Sequence, residues 1–211
     1  MRTSNIVVLA STNRHKFEEM SVLFKRYPEI TLVPVNEYIR NADKIGSVET
    51  FDNYSENAAA KARIANHGCH YPCLADDSGI EVEALQGRPG VKSHRYAVAK
   101  KGETQDQANN EKLLSELKGN PNRNARFVCH LALVMEGTLL HVEGVLEGTI
   151  AEAPRGGTSG FGYDPLFIPK GYTQTLAELG PEEKNKISHR AVAVAHLIEA
   201  IQKQEILLAK P

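Results

Sequence analysis

Apolar positions along the chain follow two rhythms. Ile6-Val7-Val8-Leu9-Ala10 is a short continuous apolar run, the pattern of a buried strand, and Phe17, Met20, Leu23 and Phe24 then recur at helical spacing through about Tyr27. A second helix is predicted over Glu56 to Asn66, rich in Ala and Lys, with Ser55 as its N-cap. A third is predicted over Thr104 to Leu117, opening with a Thr-x-x-Gln capping box at Thr104 and Gln107. From Arg126 to Met135, residues Phe127, Cys129, Leu131, Leu133 and Met135 share one face and Val128, Ala132 and Val134 the other, which predicts a strand covered on both sides. Leu139 to Ile150 reads as its hairpin partner. A glycine-rich stretch from Gly156 to Gly162 is followed by an irregular region and a last helix from about His189 to Gln204. Helices both precede and follow strands, so the pattern predicts an α/β protein with a long, partly antiparallel sheet.

Length and charge restrict the function classes. With 211 residues the chain suits a single domain, 1–211, or two closely joined lobes. A formal net charge of −1 argues against a nucleic-acid partner, which would need an excess of Lys and Arg to displace counterions from phosphates. No apolar run reaches the roughly 18 residues of a membrane span. Three cysteines, an odd and low number, fit a reducing compartment, and a cytoplasmic protein is expected.

Several segments carry candidate chemistry. Ser11-Thr12-Asn13-Arg14-His15-Lys16 joins the first strand to the first helix, where backbone N–H groups and Lys16 suit a phosphate; ordinary N-capping fits the same residues. Asp76 and Asp77 follow a short apolar segment and precede Ser78-Gly79, which predicts a strand end where successive side chains diverge. One carboxylate can bind metal while the other acts elsewhere, and such oxygen ligands suit Mg²⁺; an Asp-rich turn fits equally. Asn57 and Lys61 lie one turn apart on a shared helix face. In Gly156 to Pro165 four glycines surround Phe161 and Tyr163, which implies a flat ligand such as a base; a plain hairpin loop with aromatic plugs fits the same residues. Ser188-His189-Arg190 at the start of the last helix puts positive groups at a helix N-terminus, so an anion or acceptor should face them, with Lys184 close by in sequence. His67 to Cys73 lacks the paired ligand spacing of a zinc site, and its cysteines are read as buried apolar residues.

Taken in order, Ser-Thr-Asn-x-x-Lys, Glu-Asn-Ala-x-x-Lys-Ala, Ala-Asp-Asp-Ser-Gly, Gly-x-Pro-Gly, Gly-Phe-Gly-Tyr-Asp-Pro and Glu-Lys-x-x-x-Ser-His-Arg resemble the inosine triphosphate pyrophosphatase family of bacterial type, from Ile6 to about Ile201. The resemblance implies hydrolysis of inosine, deoxyinosine and xanthosine triphosphates to the monophosphate and pyrophosphate. It also implies Mg²⁺ dependence, a homodimer, and a two-lobed α/β fold whose long mixed sheet is flanked by helices, with the active-site cleft between lobes. Carried over by position, Ser11, Thr12, Asn13, Arg14, His15 and Lys16 would hold phosphates, with Lys61 adding charge. Asp77 would be proton acceptor and metal ligand, Glu49 or Asp76 would complete the metal site, and Ser78 would touch substrate. Phe161, Gly162, Tyr163, Asp164, Lys184, His189 and Arg190 would form the base pocket. The chain departs from the family pattern at Phe51, where a glycine is usual, at Ser11-Thr12, where Thr-Gly is frequent, and at His94, which interrupts the usual Ser-Ala-Arg-Tyr.

Overall fold

A computed structural model of the chain describes residues 5–40, 42–157 and 160–203. The elements run β1 (Ile6–Leu9), α1 (Arg14–Phe24), β2 (Thr31–Pro34), α2 (Tyr54–Cys69), β3 (Cys73–Val82), α3 (Gln105–Glu116), β4 (Asn124–Met135), β5 (Thr138–Ile150), β6 (Phe167–Pro169), α4 (Leu176–Ile187) and α5 (His189–Lys203). The strands are hydrogen-bonded in the order β2-β1-β3-β4-β5-β6. β1 pairs in parallel with β2 and β3, whereas β5 and β6 are antiparallel, so the sheet is mixed, as expected. The β4–β5 hairpin turns on Glu136 and Gly137, both at positive φ (46° and 79°), the condition for a two-residue turn that keeps the strand twist. Among the described residues no helix is long and apolar enough to cross a membrane.

The chain divides into two compact units. The first comprises Met1–Asp77, Cys129–Gly144 and Arg190–Pro211. Here the period of two along each strand sorts side chains onto two faces. Val7 and Leu9 of β1, Leu74 of β3, and Cys129, Leu131, Leu133 and Met135 of β4 pack against Met20, Leu23 and Phe24 of α1 and Ala193, Val194, Leu197 and Ile198 of α5. Val8, Ala10, Cys73, Ala75, Ala132 and Val134 point the other way, onto Ala58, Ala59, Ala62 and Ala65 of α2. The small residues of α2 let that helix lie close to the sheet.

The second unit comprises Ser78–Val128 and Val145–His189. Its core joins Ile80 and Val82 of β3, Phe127 of β4 and Ile150 of β5 to Leu113 and Leu117 on and just past α3, Leu176 of α4, and Tyr163, Leu166 and Phe167. Gly148 faces Phe167 so closely that a Cβ would lie 2.6 Å from the ring, which accounts for glycine on that strand.

Three sequence expectations need correction, and one element is added. The N-cap of α2 is Asn53, whose side chain accepts from the Glu56 N–H at 2.8 Å, so the helix begins before Ser55. Asp76 and Asp77 lie inside β3, with the strand continuing to Val82, and not at a strand end or in a turn. The region read as irregular contains β6 and α4; Thr175 and Glu178 form a capping box for α4, and Gly180 (φ 76°) with Pro181 interrupts the helical pattern. β2 was not anticipated either, being a four-residue edge strand that ends in proline. Thr158, Ser159 and Gln204 lie outside the described residues.

Candidate active site

The alternation that sorts the first unit's core also sorts its charges. Asp76 shares the face of Leu74, toward α1 and α5, and Asp77 shares the face of Ala75, toward α2. The Asp76 carboxylate is paired with Lys16 of α1 through Oδ1. Its Oδ2 accepts from Arg190 Nε of α5 and from the Cys129 thiol of β4, both at 3.1 Å. Arg190 also binds Glu19 at 2.8 Å. Burial alone would raise the pKa of Asp76, but Lys16, Arg190 and Lys61 hold it well below the ordinary carboxylate range. Burial and the Asp76 charge push the Cys129 thiol well up, so it stays protonated and serves as a donor.

Asp77 has other company. Its Oδ2 accepts from Asn57 Nδ2 at 3.0 Å, and its Oδ1 lies 3.6 Å from the Lys61 ammonium. Lys61 reaches Glu49 Oε1 at 2.6 Å and the Asp76 backbone carbonyl at 2.5 Å. Burial raises the Asp77 pKa and Glu49 adds to the rise; Lys61, Lys16 and Asn57 oppose it without cancelling it. Lys61 moves upward despite burial, because Asp77, Glu49 and Asp76 favour its charge.

Of the loop preceding α1, Lys16 is the member brought to the acidic pair. Asn13 spends its side chain capping α1, accepting from the Lys16 N–H at 3.1 Å, and Ser11 Oγ accepts from the Asn13 N–H at 3.2 Å. Thr12, Arg14 and His15 are exposed, and Arg14 pairs with Glu18.

In the second unit the glycine-rich segment is built around Asp164. Its Oδ2 accepts from the Phe161 N–H at 3.0 Å and from Lys184 Nζ at 2.5 Å, and the same ammonium stands 4.4 Å from the Phe161 ring centroid. Gly162 is clamped by α3: Asp106 accepts from its N–H at 2.7 Å, and Asn110 donates to its carbonyl at 2.9 Å. Tyr163 is drawn into the core and donates to the Ser93 carbonyl at 2.9 Å, whereas Phe161 is half-buried. His189 is buried and stacked on Phe127, with centroids 4.7 Å apart. Ser78 is half-buried in β3. The structure thus gathers Lys16, Glu49, Lys61, Asp76, Asp77 and Arg190 in the first unit and Phe161, Gly162, Asp164 and Lys184 in the second.

Sequence reading passed over Glu19, Asp106 and Asn110. Asp106 and Asn110 are four apart near the start of a capped helix, a spacing that marks a shared face but not its target. Cys69 and Cys73 bring their sulfurs within 3.4 Å of each other.

Fold and side-chain groups define a mixed-sheet α/β protein in which adjacent acidic residues at mid-strand face opposite sides of the sheet. The chain belongs to the Ham1 family, whose model matches residues 7–200. It is 45% identical over 208 residues to a dITP/XTP pyrophosphatase of Geobacillus kaustophilus, covering 97% of each chain. It is 42% identical to a protein of the same description from Christiangramia forsetii, covering 93% of this chain and 99% of that one. Among solved structures, a HAM1 protein from Coxiella burnetii matches with TM-score 0.78 and 40% identity, covering 94% and 98% of the two chains.

Proposed function

We propose that this chain hydrolyses deaminated purine nucleoside triphosphates, dITP, ITP and XTP, to the monophosphate and pyrophosphate. The observation that carries the chemistry is the Asp77 side of β3, where a buried carboxylate of raised proton affinity stands beside Lys61 and Glu49. The relatives described as dITP/XTP pyrophosphatases supply the substrate class.

Asp77 is the general base. It takes a proton from the water that attacks the α-phosphorus, the bond to the bridging oxygen breaks, and pyrophosphate leaves. A carboxylate whose pKa is raised toward the working pH is better suited to this than a free one. Lys61, kept cationic, and Lys16 offset the negative charge that builds on the phosphate oxygens. Ser11, Thr12, Asn13, Arg14 and His15 line the approach of the phosphates.

The donor set suits Mg²⁺. Glu49 and Asp77 already share one cation, Lys61, with the Asp76 carbonyl oxygen on the same ammonium, and a hard ion needs one or two carboxylates plus substrate phosphates. Asp76 is the weaker candidate ligand, since both its oxygens are engaged by Lys16, Arg190 and Cys129. Mg²⁺ held by Glu49 and Asp77 would neutralise charge on the phosphate oxygens.

Lys184 serves base selection. Fixed by Asp164 beside the Phe161 ring, it offers N–H donors to a 6-oxo group, with His189 as a further donor; Arg190, expected from the resemblance in the same pocket, is engaged by Asp76 and Glu19 in the first unit. Adenine presents an amino donor at that position and would leave the donors unpaired. Ser78 and Gly162 complete the substrate contacts, Tyr163 backs the Phe161 segment from the core, and the active form is a cytoplasmic homodimer.

Pyrophosphate release from dITP, XTP, dGTP and dATP, measured side by side with Mg²⁺, tests the reading. The deaminated substrates should lead dATP by about 100-fold or more. Equal rates on all four would overturn the proposed selectivity.

A further inference from the structure

Glu49 reaches the acidic site from an irregular segment, and something must hold that segment in place. Asn57 of α2 is fully buried and bonds to both sides of the problem. Its Oδ1 accepts from the Phe51 N–H at 3.0 Å, and its Nδ2 donates to the Phe51 carbonyl at 3.1 Å and to Asp77 Oδ2 at 3.0 Å. Only one amide orientation satisfies all three, because a flipped Asn57 would set its oxygen against two acceptors and its NH₂ against a donor. Both bonds to Phe51 use backbone atoms, so the side chain at position 51 is free to vary. Phe51 is 43% exposed, and it is not at positive φ, so its side chain carries no part of this arrangement.

Lys61, one turn later on the same helix face, makes the matching pair of contacts, to Glu49 and to Asp77 Oδ1. We propose that Asn57 is a positioning residue: it fixes Asp77 Oδ2, leaves Oδ1 as the working oxygen, and ties the aim of that carboxylate to the Glu49–Phe51 segment. This rests on Asp77 acting as the base. Residues that hold a reacting or ligating side chain from behind typically cost 10–100-fold when removed.

The test compares Asn57→Ala and Asn57→Ser with the parent chain, alone and in an Asp77→Asn background. Steady-state kinetics on dITP with Mg²⁺ are joined to amide hydrogen exchange at Phe51 without nucleotide. The expected result is kcat lower by about 10–100-fold with KM little changed, faster exchange at Phe51, and no further loss when Asp77 is already Asn. Serine, small enough for the buried site, covers the case in which alanine does not fold. Unchanged kcat, a change confined to KM, unaltered Phe51 exchange, or an additive loss in the Asp77→Asn background would each overturn the proposal. Near-parent activity of Asp77→Asn alone would instead overturn the base assignment on which it rests.

Discussion

Two sides of one strand treat neighbouring aspartates differently. Toward α1 and α5, Asp76 is enclosed by two cations and a thiol, and its pKa is driven down. Toward α2, Asp77 receives one amide donor and a more distant ammonium, and its pKa is driven up. Both are buried, so burial alone does not separate them; the partners brought by the covering helices do. A saturated carboxylate holds elements together, whereas an under-compensated one retains affinity for a proton or a metal ion. The period of two in β3 places one of each side by side in sequence.

The comparison breaks most decisively at Asp77. Its replacement by Asn keeps the shape and the Asn57 contact but removes the base, and kcat should fall by about 10²–10⁴-fold while the fold persists. Rate measurements on dITP, with circular dichroism as the check on folding, decide this. An active Asp77→Asn enzyme would put the chemistry elsewhere.

Asp76→Asn should act on stability instead. Removing the anion leaves Lys16 and Arg190 without their shared partner, and breaking a buried ion pair from one side costs about 3–5 kcal/mol. The retained Arg190–Glu19 contact favours the lower end of that range. Urea unfolding at neutral pH reads the loss directly, and a variant as stable as the parent would show that Asp76 does not hold α1 and α5 to the sheet. Because its folded pKa is depressed, the contribution of Asp76 is present above the ordinary carboxylate value and disappears only as pH falls through the lower folded value. Mild acid should therefore leave the difference between the two proteins intact.

How much of this was legible in the chain depends on the range of the physics involved. Strand β4, with Cys129, Leu131, Leu133 and Met135 on one face and Ala132 and Val134 on the other, was readable because burial repeats at the period of the backbone. The α3 capping box was readable because it closes within four residues. Strand β2 and helix α4 were not: the first is too short to show a period, and the second carries Gly180 and Pro181 inside its span. Divergence of Asp76 and Asp77 followed from strand geometry, but their partners did not. Arg190 lies 114 residues from Asp76 and Cys129 lies 53 away, and no local rule connects them. Asn57 and Lys61 could be placed on one face of α2, yet that the face meets Asp77 and the 49–51 segment is set by tertiary packing.

The smallest expected effect sharpens the comparison by reversing its sign. For Asp77, burial is the largest cause of the shift and raises the folded pKa, so between the ordinary carboxylate value and the raised value the folded chain binds more proton than the unfolded one. Stability is then highest below the unfolded pKa, about 3.9, and falls as pH rises through the folded pKa. Asp77→Asn carries no such titration and should be more stable than the parent at neutral pH, in the absence of divalent metal, by an amount that vanishes toward pH 4 and below. Lys61, Lys16 and Asn57, which all favour the ionised form, keep this gain smaller than the loss at Asp76. Urea unfolding of parent and variant across that pH range, in the presence of a chelator, measures the difference. A variant less stable than the parent at neutral pH would mean that Asp77 is as well compensated as Asp76, and the contrast between the two sides of β3 would then lie in access to substrate alone.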